Sequence, residues 1–293
     1  MTFNHYADLY LEFKQHELKV STYDKYYHIV EQRIAPVFND QNIADIKPSD
    51  VKKWLYAIND VGSKSKRHYM GVLSGIFQEA YHDEVITRNP VKIVKLPKLN
   101  KAFIDPFNAD QVKLILDDAK ENTNYQYFLA LAFFTGMRSG EIIGLKKIDI
   151  DLKNNLISVA RSRSRHGEST PKTKYSIREI PIIKLLQPYI NQLLDLHDND
   201  YLFVTQYKKP YRDTHVFQSE YWKPSLKKLN IEYRRPYNAR HTYATNMLYR
   251  DLVSPVQLAQ LLGHANTQMV YDVYVNYIDT KFIDFDRSIE IYV

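Results

Sequence analysis

Cysteine is absent from the 293 residues, which removes disulfides, thiolate nucleophiles and cysteine-built zinc sites together. Long apolar runs are absent as well. The longest, Tyr127 to Phe134, falls far short of the ~20 residues that span a bilayer and reads as a buried helix. Met1 to Tyr10 contains Asn4, His5 and Asp8 and lacks the apolar core of a secretory signal. Repeats and low-complexity tracts are missing, and no cluster of Asp, Glu and His suggests a metal site. The expectation is therefore a cytoplasmic protein with no membrane association, no metal and no other cofactor.

What is present is a chain longer than one compact domain usually needs, so two domains are expected. The net charge of +6 suits a polyanionic partner, and its distribution says more than its size. Between residues 161 and 178 stand Arg161, Arg163, Arg165, Lys172, Lys174 and Arg178, with Glu168 the only acid. Such a segment is either a phosphate-contact surface or a solvated basic hairpin, and its composition alone leaves both open. The 24 tyrosines can stack on bases or reach phosphates, but equally serve half-wet core edges.

The first ninety residues read as helices. Phe3, Tyr6, Leu9, Tyr10 and Phe13 recur at helical spacing. A second helix runs from Ser21 and Thr22 through Ile29 and Ile34 and should stop at Pro36. Pro48 opens a third, with Val51, Trp54, Leu55 and Ile58 on one face, and a fourth from Ser63 carries Val72, Leu73, Ile76 and Phe77. Prolines 90, 97 and 106, with lysines between them, mark a linker. Helical patterns resume at Asn108, and strands are expected at Leu156–Ala160, Ile177–Ile182 and Tyr201–Thr205, the first two flanking the basic segment as a hairpin. The expected fold is mainly α, with a helical bundle over 1–90, a linker over 91–107, and a mostly helical domain with a small antiparallel β-sheet over 108–293.

Four segments of the second domain hold residues suited to phosphate chemistry. Thr135-Gly136-Met137-Arg138 places an arginine after a glycine turn, with Glu141 three residues on, where a carboxylate can orient the guanidinium. Lys172 lies on the basic hairpin, ahead of Ser176-Ile177-Arg178. Tyr237-Asn238-Ala239-Arg240-His241-Thr242 sets Arg240 early in a helix, and Leu261-Leu262-Gly263-His264 ends another, followed by Tyr271, Tyr274 and Tyr277. Each segment alone has an ordinary reading as a surface pair, a turn lysine, a helix cap or a core tyrosine row.

In this order and spacing the segments resemble the signature of the tyrosine recombinase (phage integrase) family, and the N-terminal bundle resembles its core-binding domain. The resemblance is strongest over 135–144, 170–182, 236–247 and 261–277. It implies that Arg138 and Arg240 clamp the scissile phosphate, that Lys172 protonates the departing 5′ oxygen, and that His264 assists at the phosphate. Tyr274, ten residues past His264, becomes the nucleophile that forms a 3′-phosphotyrosyl link. The function so implied is integration or excision of a phage or other mobile element. The alternatives are a Xer-type resolvase of replicon dimers and a catalytically weak DNA-binding protein on the same fold. The implied partners are a double-stranded DNA recombination site, three further copies of the chain in a synaptic homotetramer, and DNA-bending accessory proteins. One position departs from the family pattern: Tyr237 stands where the histidine of H-x-x-R is usual. A phenol can still donate to a phosphate there, but it cannot carry positive charge.

Overall fold

The Thr2 hydroxyl accepts the His5 amide at 3.4 Å and caps α1, Phe3–Glu17. On this helix Phe3, Tyr6, Ala7, Tyr10 and Leu11 are all buried, whereas Phe13, expected on the same face, is 42% exposed. At about 100° per residue, Phe13 sits roughly a quarter-turn off the centre of the buried stripe. The computed structural model describes residues 1–99, 104–170 and 174–274, and it divides into two compact units, Met1–Ala102 and Phe103–Val293.

In the first unit α2, Val20–Ile29, does not stop at Pro36 as expected. It widens into a π-helical turn, Val30–Ile34, and continues as α3, Ala35–Phe38. The Ala35 amide reaches back five residues to the Val30 carbonyl. Pro36 falls in the first turn of α3, where a proline's fixed φ suits a helix and its missing N–H is least costly. Helices α4, Pro48–Ala57, and α5, Ser63–His82, complete the bundle. Phe3 packs edge-on against Phe77, and the Trp54 indole donates to the Arg33 carbonyl at 2.8 Å. The proline-marked segment 91–107 is shared out: Val91 and Val94 are buried in this unit's core, Phe107 in that of the second.

The second unit is built around α7, Thr123–Thr135, which follows α6, Ala109–Asp118. Nine of its residues between Tyr125 and Thr135 are buried, the pattern of a central helix packed on every side. Short α8, Ser139–Ile142, leads to a three-stranded antiparallel sheet of β1, Ile150–Asp151, β2, Leu156–Val159, and β5, Arg178–Pro181, with Ile157 opposite Ile180 in the core. The basic segment between β2 and β5 forms its own pair, β3, Ser162–Ser164, with β4, Gly167–Ser169. Arg161, Arg163 and Glu168 of this segment are tied to the domain rather than simply solvated. Arg161 pairs with Asp149, Arg163 donates to the Tyr201 hydroxyl at 3.0 Å, and Glu168 accepts from the same hydroxyl at 2.5 Å.

The strand expected over Tyr201–Thr205 is reduced to isolated bridges, Lys146 to Tyr201 and Val204 to Pro210. A turn in which the Thr205 amide bonds the Lys209 carbonyl cuts it short. Helix α9, Gln187–Asp195, precedes this stretch. A second π-helical turn, Phe217–Trp222, then runs into α10, Lys223–Lys228. The unit closes with α11, Asn238–Tyr249, packed on α7, then α12, Pro255–Leu262, and α13, Gln268–Tyr274. No helix among the described residues is long and apolar enough to cross a membrane.

Candidate active site

Two left-handed glycines prepare the site. Gly136 (φ +64°) ends α7 and Gly263 (φ +66°) ends α12, a conformation that glycine adopts without strain. Both turns leave helix-terminal carbonyls without intrahelical partners. Arg240, on the first turn of α11 and only 2% exposed, takes them up. Its Nη1 donates to the Gly136 carbonyl and its Nη2 to the Leu262 carbonyl, each at 2.7 Å. A buried cation is thus held at the negative ends of two helices, with no carboxylate in direct contact among the described residues. Burial lowers its pKa to about 10, with Tyr237 and Glu141 acting in the opposite sense, so it stays charged at neutral pH. Its Nε is buried with no partner among the described residues.

Arg138 immediately precedes α8. Its backbone amide donates to Glu141 Oε2 at 2.9 Å and its Nη1 to Oε1 at 2.8 Å. Glu141, 4% exposed, is shared with a third arginine: Arg178 Nη2 donates to Oε2 at 2.9 Å. Arg178 also donates from Nε to the Leu261 carbonyl at 2.6 Å, which ties β5 to the end of α12. Burial pushes the Glu141 carboxyl up, but hydrogen bonding and charge from Arg178, then Arg138, hold it below the usual range. Two guanidiniums thus share one carboxylate and the charge of a third, Arg240, is felt beside them, leaving two positive charges in excess, an arrangement that attracts an anion.

His264 follows Gly263, with its Nε2 3.0 Å from Arg240 Nη2. Arginine can only donate, so Nε2 is the acceptor and Nδ1 carries the proton. That Nδ1 is buried and has no partner among the described residues. Burial, reinforced by Arg240, lowers the His264 pKa to about 4, so the ring is neutral.

Tyr274, the last described residue of α13, is 2% exposed, and its hydroxyl lies 2.9 Å from Nδ1 of His241. Burial pushes the phenol well above its usual range, against the opposing pull of Arg240. Burial, with Arg240 beside it, lowers His241 to about 4. Tyr237 is 44% exposed, and its ring meets the edge of His241 with centroids 4.9 Å apart. Tyr271, by contrast, is 43% exposed. Lys172 and Tyr277 lie outside the described residues.

The expected residues Arg138, Glu141, Arg240 and His264 are therefore linked by hydrogen bonds and charge, with Tyr237 and Tyr274 joined to them through His241. Sequence reasoning did not single out Arg178 or His241. Arg178 stood there as one of six basic residues and within the segment after Lys172, without a role of its own, because its partners lie 37 and 83 positions away. His241 stood inside the quoted segment as a neighbour of Arg240, with nothing in the spacing to point at Tyr274.

Comparison with known proteins places these observations in a family. Residues 106–280 match the model of the phage integrase family, and residues 2–58 match the model described as the phage integrase N-terminal SAM-like domain. A putative prophage phiRv2 integrase of Mycobacterium tuberculosis is 32% identical over 203 residues, covering 67% of this chain and 53% of that one. This chain thus matches about half the length of that relative. The fold resembles the Tn1549 transposon integrase in complex with a circular intermediate DNA, with a TM-score of 0.78, 21% identity, and coverage of 94% of this chain and 95% of that one. It also resembles a lambda integrase tetramer bound to a Holliday junction, with a TM-score of 0.75, 19% identity, and coverage of 91% and 78%.

Proposed function

Because this chain belongs to the phage integrase family, we propose that it is a site-specific tyrosine recombinase of a phage or other mobile element, which cleaves and rejoins DNA through a phosphotyrosyl intermediate. One observation carries the reading. Consecutive residues of α11 serve the two halves of the chemistry: Arg240 meets His264, and His241 meets Tyr274. The anion-attracting groups and the candidate nucleophile converge on a single helical turn.

In this reading the scissile phosphate binds over Arg138 and Arg240, whose guanidiniums stabilise the charge that grows on the non-bridging oxygens as phosphorus becomes five-coordinate. His264 donates its unpartnered Nδ1–H to one of those oxygens. Tyr274 attacks phosphorus, the bond to the 5′ oxygen breaks, and Lys172 supplies the proton that oxygen takes. The phosphotyrosyl bond retains the energy of the phosphodiester, so a second 5′-hydroxyl can displace the tyrosine without a nucleotide cofactor. Glu141 and Arg178 hold Arg138 and the end of α12 in register. The prophage and transposon origins of the similar proteins favour an element integrase over a dimer resolvase. The lambda tetramer on a four-way junction supports four copies of this chain acting on two duplexes.

The test is covalent trapping on a DNA site nicked so that the released strand end is lost. Wild-type protein should form an adduct that resists denaturant. Tyr274→Phe should form none while binding the site with unchanged affinity. An adduct that persists in Tyr274→Phe and disappears in Tyr271→Phe would move the nucleophile.

A further inference from the structure

Tyr274 poses a problem that its buried position makes acute. Its phenol must lose a proton as it attacks, yet burial favours the protonated form. The position that usually bears histidine in the H-x-x-R segment holds Tyr237, a poor proton acceptor at neutral pH. One helical turn further along α11 stands His241. Its ring packs against that of Tyr237 with centroids 4.9 Å apart, and its Nδ1 lies 2.9 Å from the Tyr274 hydroxyl.

From this geometry, and resting on the reading of Tyr274 as nucleophile, we infer that His241 is a catalytic residue that takes the Tyr274 proton during DNA cleavage and returns it during rejoining. In cleavage the Tyr274 oxygen forms its bond to phosphorus while its proton passes to His241 Nδ1, and the phosphorus–5′ oxygen bond breaks with Lys172 protonating the leaving oxygen. In rejoining an incoming 5′-hydroxyl attacks phosphorus and gives its proton to the Lys172 amine, which forms the new phosphodiester. The phosphorus–tyrosine bond breaks, and His241 hands the proton back to the departing phenolate. The step needs neither an oxidant nor a co-reactant.

The surroundings fit the task. Among the described residues the charged and titratable groups around His241 are Arg240 and Tyr237 on its own helix, Tyr274 on α13, and His264 after α12. Burial and Arg240 keep its pKa at about 4 in the free protein, so the ring is neutral at neutral pH, and in its Nε2–H tautomer Nδ1 accepts from the Tyr274 hydroxyl. A phosphate bound over Arg138 and Arg240 offsets the guanidinium charge, which raises the basicity of His241 when substrate is in place.

The experiment compares His241→Asn and His241→Ala with wild type in single-turnover cleavage of the nicked site. Asparagine retains a polar side chain of similar reach, so that variant separates chemistry from folding. Both variants should bind DNA with unchanged affinity and form adduct about 100-fold more slowly. Rejoining from a preformed adduct should slow by a similar factor. The acid limb of the wild-type pH–rate profile should vanish in His241→Asn. A 5′-bridging phosphorothiolate, whose sulfur leaves without protonation, should not restore His241→Asn. Cleavage by His241→Asn within threefold of wild type, with adduct still lost in Tyr274→Phe, overturns this proposal alone. Rescue by the phosphorothiolate also overturns it, because it places the defect at the leaving group. Adduct that survives Tyr274→Phe overturns both the nucleophile and the proposal built on it.

Discussion

Glu141 and Arg178 face each other in a buried two-point pair, with Nη2 donating to Oε2 at 2.9 Å and Nη1 to Oε1 at 3.3 Å, side chains 4% and 6% exposed. Removing one member strands the other's charge in the interior. Glu141→Ala should therefore cost about 3–5 kcal/mol, read as a fall in melting temperature of about 10 °C for a unit of this size. It should also slow DNA cleavage, because Arg138 loses the carboxylate that aims it. A change of less than about 2 °C in a thermal melt would show that the pair contributes no net stability.

Gly263 couples this pair to His264. A Cβ at Gly263 would lie 3.0 Å from Arg178 Nη1 and 3.2 Å from the Cα of Ser176, on a backbone with φ +66°. Gly263→Ala thus adds left-handed strain of about 1 kcal/mol to a contact that must give way. The expected result is a modest loss of stability with a disproportionate loss of cleavage, as His264 shifts relative to Arg240. Kinetics at a temperature where the variant is fully folded would check this; a full wild-type rate there would separate His264 placement from the glycine turn.

Among the described residues Arg240 has no carboxylate in direct contact, and it lies beside two other guanidiniums that share one acid. Sulfate or phosphate should therefore bind there and raise the melting temperature of wild-type protein in proportion to the logarithm of anion concentration. Arg240→Lys keeps the charge but cannot donate to both helix-terminal carbonyls and a phosphate together, so that anion response should shrink. The same variant should cleave DNA more slowly by orders of magnitude. An undiminished anion response in Arg240→Lys would place the anion site elsewhere.

Both histidines of the site are held neutral in the fold, with pKa values lowered to about 4. Their folded values lie below the ordinary ~6.5 of an unfolded chain, so the unfolded state binds more protons between those limits. Their contribution to stability is full above about 6.5 and is lost as pH falls towards 4. Chemical denaturation at stepped pH should show stability declining across that window in wild type. The decline should be shallower in His264→Gln, and identical slopes in the two proteins would contradict the burial argument.

Tyr237 is the departure from the family pattern, and its exposure leaves its hydroxyl accessible beside the arginines. Tyr237→Phe should leave the melting temperature unchanged, since the ring contact with His241 is retained. It should slow cleavage by about 10- to 100-fold, the order of one lost transition-state hydrogen bond. A wild-type rate would reduce Tyr237 to a packing partner of His241.

What the sequence determined by itself is what local periodicity and spacing encode. Phe3, Tyr6 and Tyr10 announce α1, the unbroken apolar run from Tyr127 to Phe134 announces the central helix α7, and the ordered segments around Arg138, Arg240, His264 and Tyr274 announce the family. Local rules failed where a neighbour in space intervened. Pro36 stops an isolated helix but not one widened by a π-helical turn, and Phe13 has helical spacing but lies off the packed face. Tertiary structure alone decided that Arg178 is the partner of Glu141, that Arg240 is gripped by two helix ends, and that His241 meets Tyr274. Each of those contacts joins residues from different elements, and one of a carboxylate, a carbonyl or an imidazole can be chosen as partner only once packing has fixed the distances between them.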